Sequence, residues 1–173
     1  MYKKIYILIF IFLTFILNSL DLTDGYKDIK LGMSKSQVEE LLKNSPDFIP
    51  QREEILSIRI EPDTEIITVE GTTFIEIAYF HFNKDKLFQI FLKINEKKIG
   101  YYILLKRFTD KFGKPSGLEP KSAFWQNSNV KIVIEKPCTL KYIYLPIWNE
   151  LTKTDDKLKN YIEQAREDFI NNL

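Results

Sequence analysis

The stretch Ile29-Lys30-Leu31-Gly32-Met33-Ser34-Lys35-Ser36-Gln37-Val38-Glu39-Glu40-Leu41-Leu42 decides how this chain is read, because several local signals in it agree on one structure. Ser34 fits the N-cap position, where its hydroxyl accepts from a free backbone N–H of the first turn. Gln37, three residues on, reaches back to the Ser34 N–H and completes a capping box. Met33 and Val38 fall at the two positions of a hydrophobic staple, and Leu41 and Leu42 continue the apolar stripe that Val38 begins. Glu39 and Glu40 face water near the positive end of the helix dipole. The spacing predicts a helix from Lys35 to about Asn44, ended by Ser45-Pro46, since proline disfavours helical geometry in the residue before it. This helix is an anchor for structure and carries no chemistry.

Downstream the pattern turns to strands. Ile55 to Ile60 reads as a strand, Glu61 to Thr64 as a turn, and Ile66 to Val69 as a second β-branched run closed by Gly71. Thr73 to Phe82 is the strongest strand signal, followed by the polar turn Asn83 to Lys86 and the hairpin partner Leu87 to Ile94. Along that partner Phe88, Ile90, Leu92 and Ile94 form one face, with Gln89 and Lys93 on the other. Tyr101, Leu104, Leu105, Phe108 and Phe112 then recur at helical spacing, with Gly113 and Pro115 as stop signals. After a loop over Ser116 to Lys121, strands are expected at Ala123–Trp125, Val130–Glu135 and Thr139–Leu145. A last helix runs from about Thr154 to Asn171, with a stripe of Leu158, Tyr161, Ile162, Ala165 and Phe169.

The expected fold class is therefore α+β: an antiparallel sheet covered by helices, made of two helix-plus-hairpin units and a C-terminal helix. The units fall at residues 21–97 and 98–153, the amphipathic helix at 154–173, and a delivery segment at 1–20. Met1-Tyr2-Lys3-Lys4 is a basic n-region, and Ile5 to Leu17 is apolar apart from Thr14. That run is shorter than the roughly 20 residues a membrane-spanning helix needs, which favours a signal peptide and a periplasmic or exported protein. Ser19 is the one small residue near the boundary, so an anchor retained over residues 5–20 is the alternative.

Composition excludes several classes. The chain has 173 residues, enough for one domain, and 45% of them are hydrophobic, so a core forms. Its 25 basic and 24 acidic side chains give a net charge of +1, with no basic stripe to seek nucleic acid. One cysteine, Cys138, rules out an internal disulfide and a multi-cysteine zinc site, and one histidine, His81, rules out most histidine-based metal motifs. No cofactor motif occurs: there is no dinucleotide fingerprint, phosphate loop, nucleophile elbow or H-E-x-x-H.

The pattern Ile29-x-x-Gly32-Met33-Ser34-x-x-Gln37-Val38-x-x-x-Leu42-x-x-x-Pro46 resembles the SmpA/OmlA (BamE-like) family of small bacterial envelope modules. The helix–sheet units, taken twice, also look like the tandem arrangement of the β-lactamase-inhibitor-protein class. The resemblance covers about 18 residues. It departs from the family in lacking a lipidated cysteine and in reading Leu42-Lys43-Asn44-Ser45-Pro46 where the family has leucine-glycine-x-proline. It implies a fold and an envelope location, and no binding or catalytic residue.

Candidate chemistry is sparse. Cys138 and His81 are the formal nucleophile and base, but a small residue at a strand start and a strand histidine describe them as well. Glu53-Glu54 and Glu61-x-Asp63-x-Glu65 lack the glycine-punctuated spacing of a calcium loop and read as solvated charges. The informative anomaly is Thr73–Phe82. One face carries Phe74, Ala78, Phe80 and Phe82, interrupted by Glu76, and the other carries Ile75, Ile77, Tyr79 and His81. A sheet with one wet side alternates more cleanly, so the second face is either covered by the C-terminal helix or is a partner surface. Tyr79 is the candidate contact. The expected function is a non-catalytic envelope protein that binds another envelope protein, in envelope or outer-membrane assembly. The alternative is an inhibitor-like or small-ligand-binding module using the same face. Neither reading needs nucleic acid, and a membrane enters only if residues 5–20 are retained.

Overall fold

The computed structural model describes residues 22–49, the backbone of 57–61, and residues 63–153. The delivery segment 1–20, Glu53-Glu54 and the helix expected over Thr154–Asn171 lie outside them. In chain order the elements are β1 (Gly25–Tyr26), β2 (Ile29–Lys30), α1 (Lys35–Asn44), β3 (Ser57–Glu61), β4 (Thr64–Glu70), β5 (Ile75–Asn83) and β6 (Lys86–Ile94). There follow α2 (Tyr101–Phe112), β7 (Gly117–Leu118), β8 (Ser122–Gln126), β9 (Val130–Glu135) and β10 (Thr139–Tyr144), after which residues 145–153 are helical.

The α1 helix forms as its sequence dictates. The Ser34 N–H donates to Gln37 Oε1 at 2.9 Å and the Gln37 N–H returns to Ser34 Oγ at 3.4 Å, which closes the capping box. Val38 and Leu42 are buried and Met33 packs against the same core. The helix is also sewn to the sheet. Gly32 donates to the Leu87 carbonyl at 2.7 Å, Leu87 donates to Met33 at 2.9 Å, and the Lys35 N–H meets Asp85 Oδ1 at 2.9 Å.

The expected plan of two helix-plus-hairpin units does not hold. The described residues are mostly β, with three short helices among them, and strands 3 to 10 join in one antiparallel sheet of order β3-β4-β5-β6-β10-β9-β8-β7. Two four-strand meanders meet where β6 pairs with β10, from Thr139 opposite Lys93 to Ile143 opposite Gln89. A separate hairpin would leave a row of unpaired N–H and C=O groups along each edge. Joining the two inner edges satisfies both rows and removes the boundary between the units. Outside this sheet β1 and β2 form a two-stranded ribbon.

Two bulges rewrite the faces of the central hairpin. On β5 the pairing passes from Ile77 opposite Lys93 to Ile75 opposite Ile94, leaving Glu76 as the extra residue. Glu76 turns outward to Lys93 at 2.8 Å, Ile75 enters the core, and Phe74 is left exposed. The interruption at Glu76 is thus a bulge, not a charge among core residues. On β6 Phe88 is the extra residue between Gln89 and Leu87. Leu87 takes the core position, and the Phe88 ring instead meets His81 edge-on at 6.2 Å, off the face expected for it. The connecting turn is tighter than Asn83–Lys86. Only Lys84 and Asp85 lie between the strands, with φ of 48° and 59°, as a two-residue turn of the type that matches strand twist requires.

The core lies between the first sheet face and the helices. Ile67, Ala78, Phe80, Ile90, Leu92, Ile132 and Trp125 meet Val38 and Leu42 from α1 and Tyr101 and Phe112 from α2. Trp125 Nε1 donates to the Gly113 carbonyl at 2.9 Å, which ties the end of α2 to β8. Gly113 itself sits at φ 79°, a conformation that a side chain would strain. The strand expected to reach Leu145 stops at Tyr144, and the helical residues 145–153 follow it directly, nine residues before the helix was expected.

Candidate functional site: the second face of the sheet

The register builds a continuous row across the face opposite α1 and α2. Thr68 on β4 pairs with Tyr79, Tyr79 with Phe91, Phe91 with Lys141, Lys141 with Val133, and Val133 with Phe124 on β8. All six side chains are half-buried. Because side chains alternate along each strand, the residues directly opposite one another on six neighbouring strands share this face. The flanking row runs Ile66, His81, Gln89, Ile143, Lys131 and Gln126.

The row is chemically consistent. Tyr79 and Phe91 pack edge to face with centroids 5.5 Å apart. Lys141 Nζ sits 5.4 Å from the Phe91 ring and bonds Glu135 at 2.6 Å. Lys131 Nζ lies 4.2 Å from the Phe124 ring. That ring covers Gly117 on the edge strand so closely that a Cβ there would meet it at 2.2 Å. The lysines are thus held over aromatic rings or against carboxylates, and the surface alternates flat apolar area with fixed positive charge.

Tyr79, the candidate from sequence, stands in the middle of this row. Sequence reading missed Phe91, Lys141, Val133 and Phe124, because a residue's cross-strand neighbours follow from register and not from its own strand. The period-2 pattern of Lys131-Ile132-Val133 and Lys141-Tyr142 was the available signal.

The formal nucleophile and base are not brought together. Cys138 is buried in the core at the β6–β10 end, its thiol donating to the Ile99 carbonyl at 3.0 Å, and burial raises its pKa. His81 lies on the other face, in register with Gln89, and burial among Phe88 and its neighbours lowers its pKa. Five residues of strand separate the two registers, roughly 16 Å. Asp63 and Glu65 do not converge on a common point either: Glu65 is tied to Lys35 at 2.6 Å. Among the described residues no group of three or more His, Cys, Asp or Glu side chains is placed to hold a metal. Nor is any buried polar side-chain atom there without a hydrogen-bond partner that a ligand would supply. Two surface depressions, about 140 Å³ beside Tyr26 and Leu41 and about 500 Å³ beside Tyr102 and Lys136, lack a converging catalytic set.

A family model described as TP0088 domain matches residues 24–154. No curated protein and no solved structure matches the chain.

Proposed function

Since the chain belongs to the TP0088 domain family, over a span that takes in the ten described strands, we propose that it is a non-catalytic envelope protein that binds another protein through the second face of its sheet. The observation that carries this reading is the row Thr68, Tyr79, Phe91, Lys141, Val133 and Phe124. Aromatic side chains concentrate interface energy, and lysines already held against rings or carboxylates have less rotamer freedom left to lose when covered. The wide separation of Cys138 and His81 supports a role without catalysis. An envelope location is supported by the basic n-region and short apolar run before Leu20, and by the resemblance of Ile29–Pro46 to small envelope modules.

A photo-crosslinking residue placed at Tyr79 in living cells tests the reading. Expected is one discrete adduct to a second protein from Tyr79 and from Val133, and none from Glu40, exposed on the outer side of α1. Adducts of equal yield from all three positions, or none from the sheet face, would remove the proposal.

A further inference from the structure

Every large hydrophobic side chain that stands exposed among the described residues lies at one end of the sheet. Ile49, Phe74, Tyr102, Ile103 and Leu118 are between 45% and 71% exposed. The Ile49 N–H bonds the Glu70 carbonyl at the close of β4, and the Phe74 carbonyl accepts from Asn95, just past β6. Tyr102 and Ile103 occupy the first turn of α2, and the Ile99 carbonyl before that turn accepts from Cys138 at the start of β10. Leu118 closes β7, where Glu119 and Ser122 bond each other across the turn into β8. Glu135 is opposite both Ser122 and Thr139, so β8, β9 and β10 share this end. The turns at the other end expose Lys84, Asp85, Ser128 and Asn129 instead.

The spread of these side chains argues for a surface and against a pocket. From β4 to β7 the strand order spans six inter-strand spacings, roughly 29 Å. Cations gather where the apolar groups are most exposed. Lys97, Lys98 and Lys136 stand exposed beside the start of α2 against Glu96, and the second turn adds Arg107 and Lys106, the latter held by Asp110 at 2.7 Å. The exposed acids Glu70, Glu76 and Glu119 lie farther along the same end, with Glu76 paired to Lys93. Lys136 Nζ lies 5.3 Å and 5.6 Å from the Tyr101 and Tyr102 rings. Aromatic rings beside lysines suit the headgroup layer of a bilayer, where one part of the side chain is apolar and the other wet. We propose that this end of the sheet docks on a lipid surface bearing anionic headgroups. Ile103, Phe74 and Leu118 reach below the headgroups, and Lys97, Lys98 and Lys136 beside the start of α2 pair with them. The strands then rise from the membrane, and the second face is turned sideways along it. Docking of this kind does not depend on the sheet-face partner.

The test uses the full chain with a polarity-sensitive fluorophore on a cysteine at one position. The native thiol of Cys138 is buried. Phe74→Cys and Ile103→Cys probe the docking end, and Ser128→Cys probes the opposite end. Labels at Phe74→Cys and Ile103→Cys should shift to the blue on vesicles of phosphatidylcholine with phosphatidylglycerol, and the label at Ser128→Cys should not. Lys97→Gln and Lys136→Gln should each weaken the titration about fivefold. The inference is overturned by no shift, by an equal shift at Ser128→Cys, or by an equal shift on phosphatidylcholine alone, which would report a tether without charge recognition. Lysine variants without effect also overturn it, and so does an equal shift with soluble polyglutamate, which would point to an acidic protein.

Discussion

Ser34 and His81 show how much a single residue can settle. The Ser34 hydroxyl accepts from the Gln37 N–H and the Gln37 side chain accepts from the Ser34 N–H within one turn, so the cap depends on nothing outside the segment. Ser34→Ala should cost about 1 kcal/mol, from loss of the acceptor at the first turn. An unchanged denaturation midpoint would mean that Asp85, bonded to the Lys35 N–H, satisfies the helix start without it. His81 makes a claim about pH. Burial lowers its pKa in the folded protein below the 6.5 of the unfolded chain. Between those two values the unfolded chain holds more protons. This part of the stability is therefore full above about pH 6.5, falls as the pH drops below it, and levels off under the folded pKa. Urea midpoints at about pH 7.5 and about pH 5.5 should diverge more for the native protein than for His81→Gln. Equal divergence in both would show that the imidazole is solvated. The capping box was legible in the sequence because its partners are three residues apart. The setting of His81 was not, because Phe88 reaches it only through a bulge.

At the scale of elements, composition named the type and bulges decided the orientation. Both main helices were readable, since Ser34 opens α1 and Gly113 closes α2, and the tertiary structure leaves those signals in command. The strands were readable as apolar runs, but strict alternation put Phe74 on one face with Ala78, Phe80 and Phe82 and Ile75 on the other, whereas the structure buries Ile75 with that set and leaves Phe74 exposed. An extra residue shifts every side chain beyond it by half a period, and nothing in a single strand marks where that happens. The bulge leads to a prediction. Deleting Glu76 should join Ile75 directly to Ile77 and keep Ile75 inside, because Glu76 is the extra residue of the bulge, with no residue opposite it on β6. The loss should be small, because the pair with Lys93 is exposed and the remaining cost is the Gly71 N–H bond to the Glu76 carbonyl and a rearranged bend. Removing Tyr79 instead should abolish cooperative unfolding, since it throws Ile75 and Ala78 onto the wrong face. Far-ultraviolet circular dichroism during a urea titration distinguishes them. If the Glu76 deletion also loses its cooperative transition, the bulge is required by the fold and is not merely tolerated.

For the whole molecule, the decisive contact is the pairing of β6 with β10, whose strands are separated in sequence by α2 and three other strands. No local pattern announces it, because each meander is complete as a pattern by itself, and this is why two units were expected where one sheet exists. The row that carries the candidate site crosses the same junction, at Phe91 and Lys141. The site therefore exists only if the two halves are one cooperative body, and that can be tested. Leu92 is fully buried opposite Leu140 at the junction. Leu92→Ala should cost about 3 kcal/mol through lost burial and a residual cavity. Its effect should appear equally in both halves. Trp125 is buried on β8, within the second meander, so in a Trp148→Phe background its fluorescence reports that half alone. Circular dichroism and Trp125 fluorescence should follow one curve, shifted together by Leu92→Ala, as a single domain without a populated intermediate requires. Were Trp125 to keep its native emission after much of the sheet signal had gone, the second meander would be standing alone. The row from Thr68 to Phe124 would then lie across a seam that opens, and binding through it would be coupled to closing that seam.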